Sequence, residues 1–282
     1  MKLPRGLLAA LVLLVTTQAL AQPQELRWGG DAEGGAPFVE ADPRDPTRLV
    51  GFDVEVAEAL ARALGRNPRF VQVAYTAIDQ SVSRGDFDIG MSGVEDTPGR
   101  REKLLVTLPY FEFREVLTVR EGDRERFRNL DDLKGRRIGT LAGTIAWDLL
   151  QQAKASHGIQ PVSYDDDVHP YEDLAAGRLD GVVLDHIIAT RAMRRTPGLH
   201  TQPAALGTGH YVGVLAKDQT ALRDSIDRVL RTLAEDGTLE RIYRKWEIWD
   251  DAQAAHVASL ASTGKAAKQA PAAAAAPAAS LG

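Results

Sequence analysis

From Glu25 to Asp250 the chain alternates short apolar or β-branched runs with longer runs of helical period. Such alternation specifies an α/β fold. Glu25–Gly29 reads as a strand that enters a flexible loop, Asp31 to Phe38. A helix capped by Asp53 follows, with Val56, Ala57, Leu60 and Leu64 on one face. Arg69–Val73 is a strand, Ile78–Ser83 a short helix and Phe87–Met91 a buried strand. A second set runs as strand Arg136–Leu141, helix Ile145–Ala155, strand Val162–Tyr164, helix Pro170–Ala176 and strand Leu179–Leu184. Extended segments Pro109–Val119 and His210–Ala216 flank it. Helices Ala221–Glu235 and Thr238–Trp246 close the pattern. Two α/β lobes joined by two extended crossings are therefore predicted. Lobe one takes residues 22–111 and 209–250, and lobe two takes 112–208. From Ala252 the composition turns to alanine and proline, so residues 251–282 are predicted to form a disordered tail.

The first residues carry an address. Lys2 and Arg5 precede the apolar run Leu7 to Val15, and Ala19-Leu20-Ala21 supplies small residues at a cleavage point. This predicts a secretory signal peptide, residues 1–21, cut after Ala21, and a periplasmic chain. The apolar run is short for a membrane span, and no later run is long enough. Losing the two cations takes the net charge from −5 to −7. With no long basic run, nucleic acid is not an expected partner. The absence of cysteine excludes disulfides, thiolate metal sites and a thiol nucleophile. The six histidines lack a zinc-type spacing. Asp165-Asp166-Asp167 lacks the glycine and distal glutamate of a calcium loop, and reads as a solvated loop. No metal, cofactor or catalytic nucleophile is expected.

Three local features point instead to a small ligand. The first is Gly90 to Arg101, GMSGVEDTPGRR, which leaves a strand end where ligands of open α/β sheets gather. Arg100 offers a planar fork for a carboxylate, Ser92 and Thr97 add hydroxyls, and Gly93 permits close backbone approach. Two adjacent arginines fit a solvated helix start equally well. The second feature is the turn Leu141-Ala142-Gly143-Thr144-Ile145, whose free N–H groups suit an anion. An ordinary cap by Thr144 would look the same. The third is Asp185, at the end of the apolar strand Gly181 to Leu184, placed to accept from an ammonium or to cap the next helix. Taken together they match an α-amino acid zwitterion held between two lobes.

With these pieces in order, the chain resembles the polar-amino-acid binding proteins of bacterial ABC importers, the type 3 extracellular solute-binding family. The resemblance spans nearly all of Glu25 to Asp250. It rests on LVGFDV from Leu49, GDFDI from Gly85, TPGR from Thr97, LKG from Leu133, AGT from Ala142, GRLD from Gly177, DGT from Asp236 and IYRKW from Ile242. It implies the two-lobed periplasmic-binding-protein fold of type II, a monomer, and an importer permease as partner. Arg100 falls at the family's carboxylate-binding arginine, and Thr144 with the N–H of Ile145 at its second carboxylate clamp. Asp185 falls at the amino-group acceptor, and Tyr75 where a ring packs on the ligand side chain.

Three departures bear on the ligand. Gly34 and Gly35 stand where the family often has an aromatic residue. Glu95 replaces a small hydroxyl residue, and Ile145 a threonine or serine. Glu33, Glu95 and Asp31 together make the pocket mouth acidic, which favours a cationic amino acid. Two alternatives stand beside binding. One is a periplasmic dehydratase acting on prephenate or arogenate, with Glu95 or Glu33 as general acid. The other is a ligand-sensing module.

Overall fold

The computed structural model describes residues 24–33 and 35–269. The expected signal peptide and the tail beyond residue 269 lie outside them. Twelve strands are described: β1 Glu25–Gly30, β2 Glu40–Asp42, β3 Asp45–Val50, β4 Asn67–Gln72, β5 Ile89–Gly90, β6 Leu105–Val106, β7 Phe111–Arg120, β8 Arg137–Leu141, β9 Gln160–Tyr164, β10 Gly181–Asp185, β11 Leu199–Tyr211 and β12 Val214–Leu215. The described α-helices are α1 Phe52–Ala63, α2 Ile78–Arg84, α3 Pro98–Lys103, α4 Ile145–His157, α5 His169–Ala175, α6 His186–Arg195, α7 Thr220–Glu235, α8 Thr238–Lys245 and α9 Asp251–Gln269.

One sheet has the order β4-β1-β5-β12-β6 and the other β11-β7-β10-β8-β9; β2 and β3 form a separate hairpin. In the first sheet β1 runs parallel to β4 and β5, while β12 is antiparallel to β5 and β6. In the second, β8 is parallel to β9 and β10, and β7 is antiparallel to β10 and β11. Helices α1 and α2 pack on the first sheet, and α4, α5 and α6 on the second. This is the expected α/β, two-lobed arrangement. The chain leaves the first sheet through β7 and returns through β11, which pair over most of their lengths. At their shared end Phe111 and Phe113 stack on Tyr211, with ring centroids 5.5 and 4.6 Å apart. Phe38 and Phe52 close around the same tyrosine, so the two crossings start from one rigid aromatic block.

The second crossing is longer than the sequence implies: β11 begins at Leu199, and His210 is nearly its last residue. The run Thr201 to Gly209, rich in glycine, alanine and proline, hides it, and this edge strand bulges twice and exposes part of its length.

Two expectations fail outright. Asp53 does not cap α1. Gly51 does, at φ +148°, where a Cβ would lie 1.8 Å from the carbonyl oxygen of Phe38. Asp53 instead sits buried in the first turn, second in the helix, and accepts the N–H of Gly93 at 2.7 Å.

Nor is the first part of the expected disordered tail, 251–282, without structure: Asp251–Gln269 is helix α9, and residues 270–282 lie outside the described residues. Alanine favours helix, and Val257 and Leu260, three residues apart, bury one face. Gln253, 1% exposed, accepts from the N–H of Glu112 at 3.3 Å and donates its amide to the carbonyl of the same residue. Gln253→Ala strands both groups, so urea denaturation is expected to show a loss of about 1–3 kcal/mol.

Candidate functional site

The loop after β5 is held in an unusual backbone. Ser92 takes φ +87° although it carries a side chain, and Gly93 follows at +67°. A Cβ on Gly93 would stand 2.8 Å from the ring of Phe38. The bond to Asp53 pins this pair, and the Ser92 hydroxyl lies 3.3 Å from the carbonyl oxygen of Asp31. Strain of this kind persists only where the surroundings enforce it, and it gathers at binding sites. Thr97 then caps α3, accepting from the N–H of Arg100, with Pro98 at the first helical position.

Arg100 is 6% exposed, so it is no solvated helix start. Its Nε donates to Asp79 at 3.1 Å and its Nη1 to the carbonyl of Glu95 at 2.8 Å. The guanidinium carbon lies 5.6 Å from the centre of the Tyr75 ring. Arg100 faces a cavity of about 340 Å³ that Ala142 and Gly143, from the turn before α4, line from the opposite lobe.

Beyond Tyr75 lies a larger cavity of about 430 Å³, within the range of roughly 300–1,000 Å³ usual for small ligands. Glu33, Ser92, Gly93 and Glu95 line it from one lobe, and Asp185 and Ile188 from the other. Tyr75 borders both cavities. The expected site residues are thus divided: Arg100 in one chamber, the acidic groups in the next.

Asp185 caps α6, and Oδ1 accepts from Ile187 and Ile188 at 2.8 and 2.9 Å. Its other oxygen, Oδ2, is not used by that helix. Both readings made from the sequence are therefore compatible in one side chain. Burial pushes its carboxyl up to about 6, against the pull of the Ile188 N–H.

Glu95 reaches across the gap, and its Oε2 accepts the N–H of Ile145 at 2.5 Å. A carboxyl group of the protein thus occupies the first free N–H of α4. Burial pushes Glu95 up to about 8, with Asp185 adding to the effect and Arg100 opposing it. Thr144 caps the same helix, accepting from Trp147 at 3.1 Å and donating to the Leu141 carbonyl at 2.7 Å.

Two of the expected acidic residues differ in kind. Asp31 ties its own loop: its carboxylate accepts from the N–H groups of Glu33 and Tyr75 and from the Gln72 amide. Glu33 is exposed at the rim.

Three groups escaped the sequence. Glu115, fully buried on β7, is the cross-strand partner of Asp185. Burial, then Glu95 and Asp185, push its carboxyl well above the usual range. The alternation Phe111, Phe113, Glu115 along one strand face was the signal that marks it as inward. Asp166 and Asp167 line the larger cavity, and Asp167 forms an ion pair with Arg191 that is 8–12% exposed. Only Asp165 of that triplet is an exposed loop residue. Glu172 joins them one helix turn later.

The arrangement is a cleft between lobes, acidic in its larger chamber and bordered by one guanidinium and one helix N-terminus. The chain is similar to known proteins. The arginine-binding protein 1 of an Escherichia coli K12 ABC transporter is 29% identical over 70% of this chain and 82% of its own. The histidine-binding periplasmic protein of the same strain is 28% identical over 87% and 96%. A solved ancestral arginine-binding protein bound to arginine superposes with a TM-score of 0.72 at 27% identity, over 80% of this chain and 99% of that one. These relatives are binding proteins rather than enzymes, in line with the non-catalytic reading of the sequence. The family profile matches residues 27–248, and the chain belongs to the bacterial extracellular solute-binding proteins, family 3.

Proposed function

We propose that this chain captures an amino acid with a cationic side chain between its lobes and delivers it, as a periplasmic monomer, to the permease of an ABC importer. Cleavage after Ala21 releases it into the periplasm. The observation that carries the reading is the placement of acidic groups: seven carboxyl side chains and no lysine or arginine line the larger chamber, whereas the smaller one sets Arg100 and Lys103 against Asp79 and Asp148, beside the turn that starts α4. The ligand's carboxylate lies between Arg100 and the N–H of Ile145. Its ammonium meets Asp185, and its side chain extends past Tyr75 into the acidic chamber. Glu95 holds that N–H until the ligand arrives, then turns to the incoming cation. Contacts to both lobes favour the closed form by differential affinity, with β7 and β11 as the hinge. The named ligands of the relatives, arginine and histidine, support the same class.

A thermal-shift screen of the standard amino acids with ornithine and citrulline identifies the ligand, since bound ligand raises apparent stability. Arg100→Ala is expected to weaken that ligand at least about tenfold, or about 1.4 kcal/mol, by calorimetry. An unchanged dissociation constant would remove Arg100 from the site.

A further inference from the structure

The hinge carries a second cluster, away from the cleft. Glu112 near the start of β7 and His210 near the end of β11 are cross-strand partners, with His210 Nε2 3.6 Å from Glu112 Oε2. Helix α9 brings His256 beside them, and the two imidazole centroids are 5.2 Å apart. One donor atom from each of the three residues lies within 4.8 Å of the other two. All three are half-buried, so the protein forms the cluster while solvent reaches it.

The tautomer is set by a neighbour. His256 Nε2 is 3.1 Å from the carbonyl oxygen of Pro109. A carbonyl only accepts, so Nε2 carries the proton and Nδ1 keeps its lone pair. Ligating histidines are commonly oriented through their other nitrogen in this way. The strand and the helix are also locked together, because Gln253, three residues before His256, holds both backbone groups of Glu112. Two neutral imidazoles and one carboxylate suit a zinc-type ion. Donors around a tetrahedral zinc stand about 3.3 Å apart, as bond lengths of about 2.0–2.2 Å require.

We propose that Glu112, His210 and His256 form a binding site for a divalent transition ion of the zinc class, with water in the fourth position. Sequence spacing gives no hint of it, since the residues are assembled from two hinge strands and an appended helix. The ion joins all three elements and so fastens α9 to the crossings. This site is independent of the amino-acid cleft and of what that cleft holds.

The test is calorimetric titration of the untagged, chelator-stripped chain with Zn²⁺ at neutral pH, paired with thermal melts. Single-site binding and a zinc-dependent rise in melting temperature are expected. His210→Ala and Glu112→Gln should each weaken zinc at least about tenfold. His256→Gln should do the same, and its amide can keep the bond to Pro109, so α9 stays docked. Melts of each metal-free variant report whether the fold is intact. Absence of saturable zinc binding, or binding that persists unchanged when His210 and His256 are both replaced, overturns the proposal.

Discussion

Exchanging Asp185 for asparagine is expected to weaken the captured amino acid about a hundredfold, or about 2.7 kcal/mol, while the protein still folds. Asparagine caps helices as well as aspartate does, so the bonds from Ile187 and Ile188 survive. What disappears is the negative charge facing the cavity. Asp185 is 2% exposed, so water offers its partner little in return, and removing one half of such a pair costs several kilocalories per mole. The charge is present to be lost: with burial raising this carboxyl only to about 6, it is ionised at neutral pH. Calorimetry with the ligand from the thermal-shift screen measures the effect, and circular dichroism confirms the helix. A dissociation constant within about threefold of the parent would assign Asp185 to capping alone.

The contrast between Asp185 and its neighbours marks what the sequence could disclose. Asp185 stands at the end of an uninterrupted apolar strand, and Arg100 follows a strand–turn run, so local pattern makes them candidates but does not separate a ligand contact from a cap or a solvated helix start. Glu95 was visible as a departure, but its contact with Ile145 was not, because fifty residues and a lobe boundary separate them. Asp166 and Asp167 looked like a solvated loop, and only the partner Arg191, on α6, draws Asp167 inward. Asp53 has the residue type and position of a cap. Its burial follows from the loop at Gly93, which no local window contains. The error over α9 has the same origin. An alanine-rich segment has little to bury by itself, and its order comes from Gln253, Val257 and Leu260 meeting β7 and α7.

Glu95 makes the second large effect a dependence on acidity. In the ligand-free protein its carboxyl is held up at about 8, chiefly by burial. It is therefore mostly neutral at pH 7. A bound cation favours the ionised form and lowers that value, so binding releases a proton. Between the two values, affinity is expected to rise by up to about tenfold per pH unit, levelling off above about 8. The sign for folding is opposite. A carboxyl whose folded value is raised contributes stability that is full below its unfolded value and is lost as pH rises through about 8. Ligand-induced thermal stabilisation should accordingly grow with pH while the free protein weakens. Glu95→Gln cannot ionise, and it should flatten the affinity profile over this range. Calorimetry in two buffers of different ionisation enthalpy counts the released protons directly. If the parent and Glu95→Gln release the same number at pH 7, Glu95 does not meet the ligand's cation, and the exchange of its partner from the α4 N–H to the ligand is wrong.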